Sequence, residues 1–274
     1  ESRAGGGFTG SVGAGEAVRI FTGAPLPDGA DRCIMQEYAT RDGDVVRFAA
    51  GYGPGRNVRA AGSDFQAGAR HLVARIAHPA APGDVHPDVG QLRIDLQHVG
   101  ADDLPSLEAV ARAATDAADL VVVTGGASVG DRDFAKPMFA PLGLEMLFAK
   151  VAIKPGKPVW AGRVGRTWVL GLPGNPTSAM VTARLFLQPI LARLQGQSAY
   201  APLLWRNLPL AEDLPATGDR ETFVRARWDV QGLVPLRNQE SGAQQALVDA
   251  DWLIRCPQGQ AQRLAGQTVS CISF

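Results

Sequence analysis

The chain has 274 residues, 46% hydrophobic and 20% charged, enough material for more than one buried core. Its 27 basic and 27 acidic side chains balance, so net charge argues for no particular partner, and an anionic ligand would need a local cationic patch. There is no run of about 18 uncharged apolar residues, no basic-plus-apolar signal peptide opens the chain, and Cys33, Cys256 and Cys271 form no CxxC pair. These features exclude a membrane-spanning helix, a disulfide framework and a cysteine zinc site. The expectation is a cytoplasmic protein with reduced thiols and no nucleic-acid or membrane partner.

In chain order, residues 1–73 read as a small β-domain. Short apolar or alternating runs at 18–20, 32–35 and 45–48 are separated by turn signals at 27–29 and 42–44. Residues 74–98 are irregular or discontinuous: the stretch 77–90 holds three prolines, two histidines and two aspartates without either period. The α/β domain spans 74–197 and includes that stretch. It is expected to have a helix over 107–118, strands at 119–124, 151–153 and 167–172, and a helix over 178–194 with Ser178 as its N-cap. Alternating strands and helices imply a parallel sheet. Residues 198–274 return to β, with strands at 222–228, 232–236, 252–256 and 268–274 making a small barrel or sandwich.

Four constellations could carry chemistry. The run TGGASVGDRD at 124–133 follows a buried strand. Gly125 and Gly126 let backbone approach a ligand, Ser128 adds a hydroxyl, and Asp133 could hold a metal. The same run also fits a bare Gly-rich connection. In KVAIKPGKP at 150–158, an extended backbone puts Lys150, Ala152 and Lys154 on one face and Val151 and Ile153 on the other. With Lys157 on the Pro-Gly turn this makes a compact oxyanion site, the alternative being a solvated basic edge. In GLPGNPTS at 171–178, Pro173, Gly174 and Asn175 form a rigid turn at a strand's carboxyl end, before a helix whose N–H groups favour anions. The fourth, RIFTGAPLP at 19–27, places Thr22 and Gly23 at a strand end, where an ordinary turn also fits. Among isolated acids, Asp64 sits in a turn, and Asp102 and Asp103 precede a helix that either could cap. The four histidines show no metal-ligand spacing, and neither a G-x-S-x-G elbow nor a Walker A loop is present.

These blocks, in this order, resemble the MoeA/gephyrin family. Residues 19–30 are similar to its RIMTGAPxPxGA block, 124–134 to SGGxSVGxxDF, 150–158 to KxAIKPGKP and 171–180 to GLPGNPxSAM. Residues 56–64 resemble NIRxxGED. The resemblance covers nearly the whole chain apart from roughly 74–98. It implies a central three-layer, MogA-like α/β domain flanked by a small N-terminal β-domain and a C-terminal β-barrel, without the family's N-terminal helical region. It also implies molybdenum cofactor biosynthesis: insertion of molybdate into adenylylated molybdopterin, with Mg2+-dependent release of AMP.

Carried over residue by residue, Asp64, Asp102, Asp133, Lys150 and Lys154 would be catalytic, with Asp102 and Asp133 on Mg2+. Thr22, Gly23, Gly125, Gly126, Ser128, Lys157, Pro173, Gly174 and Asn175 would bind substrate. The resemblance implies a homodimer, with other molybdenum cofactor biosynthesis proteins as further partners. The family's MDGY and GDE carboxylate blocks have no counterpart. A second expectation therefore stands beside the first, a catalytically degenerate scaffold of the same fold. An adenylyltransferase acting on free molybdopterin is disfavoured by the flanking β regions.

Overall fold

Gly43 adopts φ 60° and closes a two-residue turn between β1 (Ala39–Asp42) and β2 (Val45–Phe48), an antiparallel pair running from Ala39 opposite Phe48 to Asp42 opposite Val45. The computed structural model describes residues 1–2, 7–21, 24–52, 57–58, 103–124, 134–241 and 245–274. They fall into two units, Glu1–Ala69 and Arg70–Phe274. In the first unit the expected strands at 18–20 and 32–35 do not form ladders. Ile20 makes one parallel bridge with Ser2, and residues 32–35 lead into a 3-10 turn at Gln36–Tyr38. Segments of only three and four residues offer few backbone groups with which to build a ladder. Ser2 is instead held at both ends: its N–H donates to the Arg19 carbonyl at 2.8 Å and its hydroxyl to the Pro25 carbonyl at 2.9 Å.

The second unit opens with α1 (Leu104–Ala117). The Asp103 carboxylate caps it by accepting from the Ser106 N–H at 2.9 Å, and Pro105 occupies the first turn where no donor is needed. That bond holds the Asp103 carboxyl below its ordinary range. The chain then enters β3 (Leu120–Thr124), and β4 (Glu145–Phe148) follows a 3-10 turn. After a two-residue strand β5 (Ile153–Lys154), β6 (Trp160–Val164) and β7 (Thr167–Leu172) form a hairpin around Gly165, whose φ is 56°.

The sheet order is β3-β7-β6-β4. Only β3 and β7 run parallel, and the β6–β7 and β4–β6 pairs are antiparallel. The expected all-parallel sheet is therefore corrected to a mixed one among the described residues. The hairpin is the cause, since a two-residue turn can join only antiparallel neighbours. The Thr167 hydroxyl ties the start of β7 to the end of α1, lying 3.0 Å from the Thr115 carbonyl and 2.9 Å from that of Ala118.

Trp160 is fully buried among Ala111, Met138, Phe139 and Val169, on the α1 side of the sheet. Its indole lies directly over its cross-strand partner Gly171, where any Cβ would overlap the ring. The Trp160 Nε1–H has no hydrogen-bond partner among the described residues. The opposite face of the sheet packs on a helical run that starts earlier than the sequence suggests. α2 (Pro176–Thr182) has Pro176 at its first position and Asn175 as its cap residue, so Ser178 lies inside the helix and is buried. A π-helical turn at Ala183–Leu187 separates α2 from α3 (Gln188–Leu194). From that turn Arg184 donates to the Ser273 and Pro202 carbonyls at 2.8 Å each.

The remaining strands are β8 (Arg206–Pro209), β9 (Glu221–Asp229), β10 (Gly232–Pro235), β11 (Trp252–Cys256) and β12 (Thr268–Ser273), with a short helix α4 (Gln245–Val248) before β11. They pair in the order β10-β9-β11-β12-β8. A bridge between Leu210 and Leu233 joins the two ends, curling the sheet into a small barrel around Leu210, Leu214, Leu233, Ile254, Cys256 and Cys271. Burial pushes the Cys256 thiol up to about 12 and that of Cys271 up to about 11, and all three cysteines are free.

Gly232 sits at the closing seam with φ 136°, and a Cβ there would overlap the Pro209 carbonyl oxygen. Gly232→Ala is expected to lower stability by roughly 2 kcal/mol, through both the positive φ and the lost seam. Urea unfolding measures this, and an unchanged midpoint would show that the seam gives way freely.

Candidate functional site

The lysine segment is built by its apolar residues. Ile153 is 5% exposed and inserts into a core with Val159, Leu170, Leu172 and Val181, while Val151 packs against it half-buried. Lys150, Ala152 and Lys154 are exposed on the other side, the alternation expected of an extended strand. Pro155 and Gly156 are buried, and Lys157 is exposed on the far side of the turn. The turn is closed by the Val151 N–H on the Lys157 carbonyl at 3.1 Å and the Val159 N–H on the Gly156 carbonyl at 3.0 Å. Three ammonium groups thus project from a short, internally bonded turn. None of them makes a salt bridge among the described residues.

β5 does not join the α/β sheet. It pairs in parallel with β9, Ile153 opposite Glu221 and Lys154 opposite Thr222, and the Glu221 N–H donates to the Ala152 carbonyl at 3.0 Å. The barrel therefore sets where the lysines lie. Gly156, at φ 110°, packs so closely on α2 that a Cβ would overlap the Thr182 methyl.

The second element is the loop between β7 and α2. Pro173 is buried, and Gly174 and Asn175 are exposed. Asn175 makes no side-chain cap bond to its own helix. Its Nδ2 donates instead to the Ser241 hydroxyl at 3.1 Å, across from the barrel. The loop bearing Ser241 is organised by Arg225, fully buried on β9. The Arg225 guanidinium donates to the Glu240 carbonyl at 3.2 Å and the Asn238 carbonyl at 3.4 Å. Gln239 answers with its amide, donating to the Arg225 and Leu236 carbonyls at 2.8 and 2.7 Å. Burial pushes Arg225 down to about 10, so it remains cationic at neutral pH. Neither Arg225 nor Ser241 stands out in the sequence: a lone Arg in an alternating strand and a Ser-Gly pair in a loop carry no local signal.

The third element is the carboxyl end of β3. Thr124 lies opposite Leu172 in the parallel register, so β3 and β7 end side by side, at the edge where open α/β sheets bind ligands. The described site residues Lys150, Lys154, Lys157, Pro173, Gly174 and Asn175 all belong to elements that share one core or border it. Thr22, Gly23, Asp64, Asp102, Gly125, Gly126, Ser128 and Asp133 lie outside the described residues. Asp103, by contrast, is accounted for as the α1 cap.

A mixed α/β sheet joined to a small β-barrel through a lysine turn is the class these features define. Comparison with known proteins narrows it. Residues 2–78 match the profile of the MoeA N-terminal region (domain I and II), 89–193 that of a probable molybdopterin binding domain, and 207–274 that of the MoeA C-terminal region (domain IV). The molybdopterin molybdenumtransferase of Haemophilus influenzae is 31% identical over 312 residues, covering 94% of this chain and 77% of the relative. That of Staphylococcus aureus strain COL is 27% identical over 315 residues, covering 95% and 74%. The chain belongs to the MoeA family of molybdopterin molybdenumtransferases.

Among solved structures, a molybdopterin biosynthesis MoeA protein from Pyrococcus horikoshii shares the fold, with a TM-score of 0.54 at 24% identity over 100% of this chain and 79% of that one. The aligned length of 312 exceeds the 274 residues of this chain, so residues of the Haemophilus relative fall opposite gaps here. The profiles leave 79–88 unmatched, inside the irregular stretch at 74–98.

The Gly156 contact makes the turn testable. Gly156→Ala is expected to destabilise the protein by roughly 2 kcal/mol, because the positive φ and the Thr182 methyl both oppose a side chain. Adding Thr182→Ser removes the methyl and should restore part of that loss, while the backbone strain remains. Thermal unfolding of the single and double variants reads this directly; equal midpoints for the two would mean the methyl contact contributes nothing.

Proposed function

We propose that this chain inserts molybdate into adenylylated molybdopterin, with release of AMP. The observation that supports this reading best is the cluster of Lys150, Lys154 and Lys157 on a turn wedged between β9 and α2, over a core that also takes in Leu172 at the end of β7. Ammonium groups on a fixed backbone suit a tetrahedral oxyanion and a phosphoanhydride, and a compact point charge serves either. The lysines would draw molybdate and the adenylate phosphate together and offset their combined negative charge. The Pro-Gly-Asn-Pro loop and the Ser241 loop would bound the pterin side of the cleft. The relatives at 31% and 27% identity carry the name of this activity. For the degenerate-scaffold alternative there are only the two carboxylate blocks without a counterpart, and neither the described residues nor the relatives add to it.

We assign Mg2+ to Asp102 and Asp133, because hard carboxylate oxygens suit it. Among the described residues no group of three His, Cys, Asp or Glu side chains could hold a metal. Bound there, the ion would offset charge on the departing AMP phosphate. The remaining roles, of Asp64, Thr22, Gly23, Gly125, Gly126 and Ser128, are proposed on the resemblance of their blocks.

A homodimer is proposed on the same ground. Of the apolar helical run, Val181 is buried in the core, Leu185, Phe186, Leu187 and Ile190 pack against it half-buried, and Leu194 remains 42% exposed. We further propose a cytoplasmic location and contact with other molybdenum cofactor biosynthesis proteins. No helix among the described residues is long and apolar enough to cross a membrane.

One assay tests the chemistry. The purified chain, given molybdopterin-adenylate, molybdate and Mg2+, is expected to release AMP. Lys154→Ala should lower ligand affinity about tenfold or more, the worth of one charge-assisted contact. Asp133→Asn should hold the adenylate uncleaved. Normal turnover by both variants would overturn the site assignment. Light scattering tests the assembly: a mass near twice 28.9 kDa is expected, and 28.9 kDa at all micromolar concentrations would exclude the dimer.

A further inference from the structure

We infer that the C-terminal barrel carries a second anion-binding site, in the cleft where β11 and β12 separate. The two strands pair from Trp252 opposite Ser273 to Ile254 opposite Cys271, and there the ladder stops. Both strands continue beyond that point, Arg255 and Cys256 pairing only with β9, and residues 268–270 only with β8. Pro257 follows at once and has no N–H with which to extend the ladder. The strands splay around a cleft of about 370 Å³, within the range of small-molecule sites.

The chemistry of the lining is cationic and hydrogen-bonding. Val269 and Pro257 supply apolar wall, Thr268 and Ser270 supply hydroxyls, and Arg255 and Arg263 supply two guanidinium groups. Among the described residues no carboxylate lines the cleft.

The Arg255 side chain is held in advance, and at Arg263 the backbone is. Arg255 bonds through Nε to Glu221 and stacks on the Trp205 ring at 5.5 Å. Arg263 is anchored by its backbone, its N–H on the Leu214 carbonyl at 2.9 Å and its carbonyl accepting from the Leu214 N–H at 2.8 Å. Its guanidinium makes no salt bridge among the described residues. Of the nearby acids, Glu221 already engages Arg255, and Asp213 accepts from Gln262 Nε2 and the Ala265 N–H. The Arg263 charge is thus left for a ligand, with the Arg255 fork beside it. Planar forks and hydroxyls of this kind recognise the oxygens of a phosphate or carboxylate group.

None of the three lysines lines this cleft, although Glu221 bonds both to the Ala152 carbonyl and to Arg255, so the test is chosen to keep the two sites apart. Inorganic phosphate and succinate, at constant ionic strength, are titrated into the isotopically labelled full chain while backbone amide shifts are followed. Saturable shifts at Arg255, Gln260, Arg263 and Ser270 are expected. Arg263→Gln should weaken them about tenfold, the loss of one charge-assisted contact. Lys154→Ala should leave them unchanged, and Arg263→Lys should retain part of the binding. Tighter phosphate binding assigns a phosphate-bearing ligand, and tighter succinate binding a carboxylate-bearing one. The inference is overturned if neither anion produces saturable shifts there, if Arg263→Gln binds as the parent does, or if the shifts vanish in Lys154→Ala.

Discussion

The lysines are positioned by one short strand pairing and the apolar core beneath it. β5 is only two residues long, yet among the described residues it is the one strand of the α/β region that hydrogen-bonds to the barrel, along the edge of β9 that β10 leaves open. A parallel contact of two residues would be marginal alone. It persists because Ile153 lies in a core to which the sheet gives Leu170 and Leu172, α2 gives Val181, and the barrel gives Phe223, Leu253 and Ile272. Burying those side chains fixes the angle between sheet and barrel more firmly than the bonds do. The residues that carry charge are thereby placed by neighbours that carry none.

A second consequence is that the barrel takes part in the site. Arg225 is a buried cation whose described acceptors are all neutral: two backbone carbonyls and the Gln239 amide oxygen. Such a charge is costly to leave short of acceptors, so the loop at 236–241 is held to the geometry that satisfies it. Ser241, at the end of that loop, then meets Asn175. The polar network thus ends on the Asn175 loop, and the apolar core on the lysine turn.

Much of this was legible in the sequence, and the rest was not for identifiable reasons. The alternation of Lys150 through Lys154, the capping acid before α1, the apolar run of β3 and the strands at 252–256 and 268–273 follow from local period and chemistry. The strand β6 was missed because WAGRV is short and broken by glycine, and its role becomes evident only once Trp160 lies over Gly171. The sheet's polarity was misread for the same reason, since an unseen hairpin partner turns an apparent parallel crossover into an antiparallel pair. Ser178 was read as a cap because Ser is a good one, but Pro176 at the first helical position set the start two residues earlier. The Asn175–Ser241 contact joins residues 66 apart and has no local signature.

The Trp160–Gly171 contact has a bearing on descent. The indole occupies the space that a side chain at 171 would need, so neither position can change freely while the other stays as it is. A side chain at 171 becomes tolerable only after the ring at 160 has shrunk, and a smaller residue at 160 leaves a void until 171 gains bulk. The two sites should drift as a coupled pair among homologues, with intermediate combinations rare. Because 171 opens directly into the Leu172–Pro173–Gly174–Asn175 turn, that coupling also slows change in the loop it leads to.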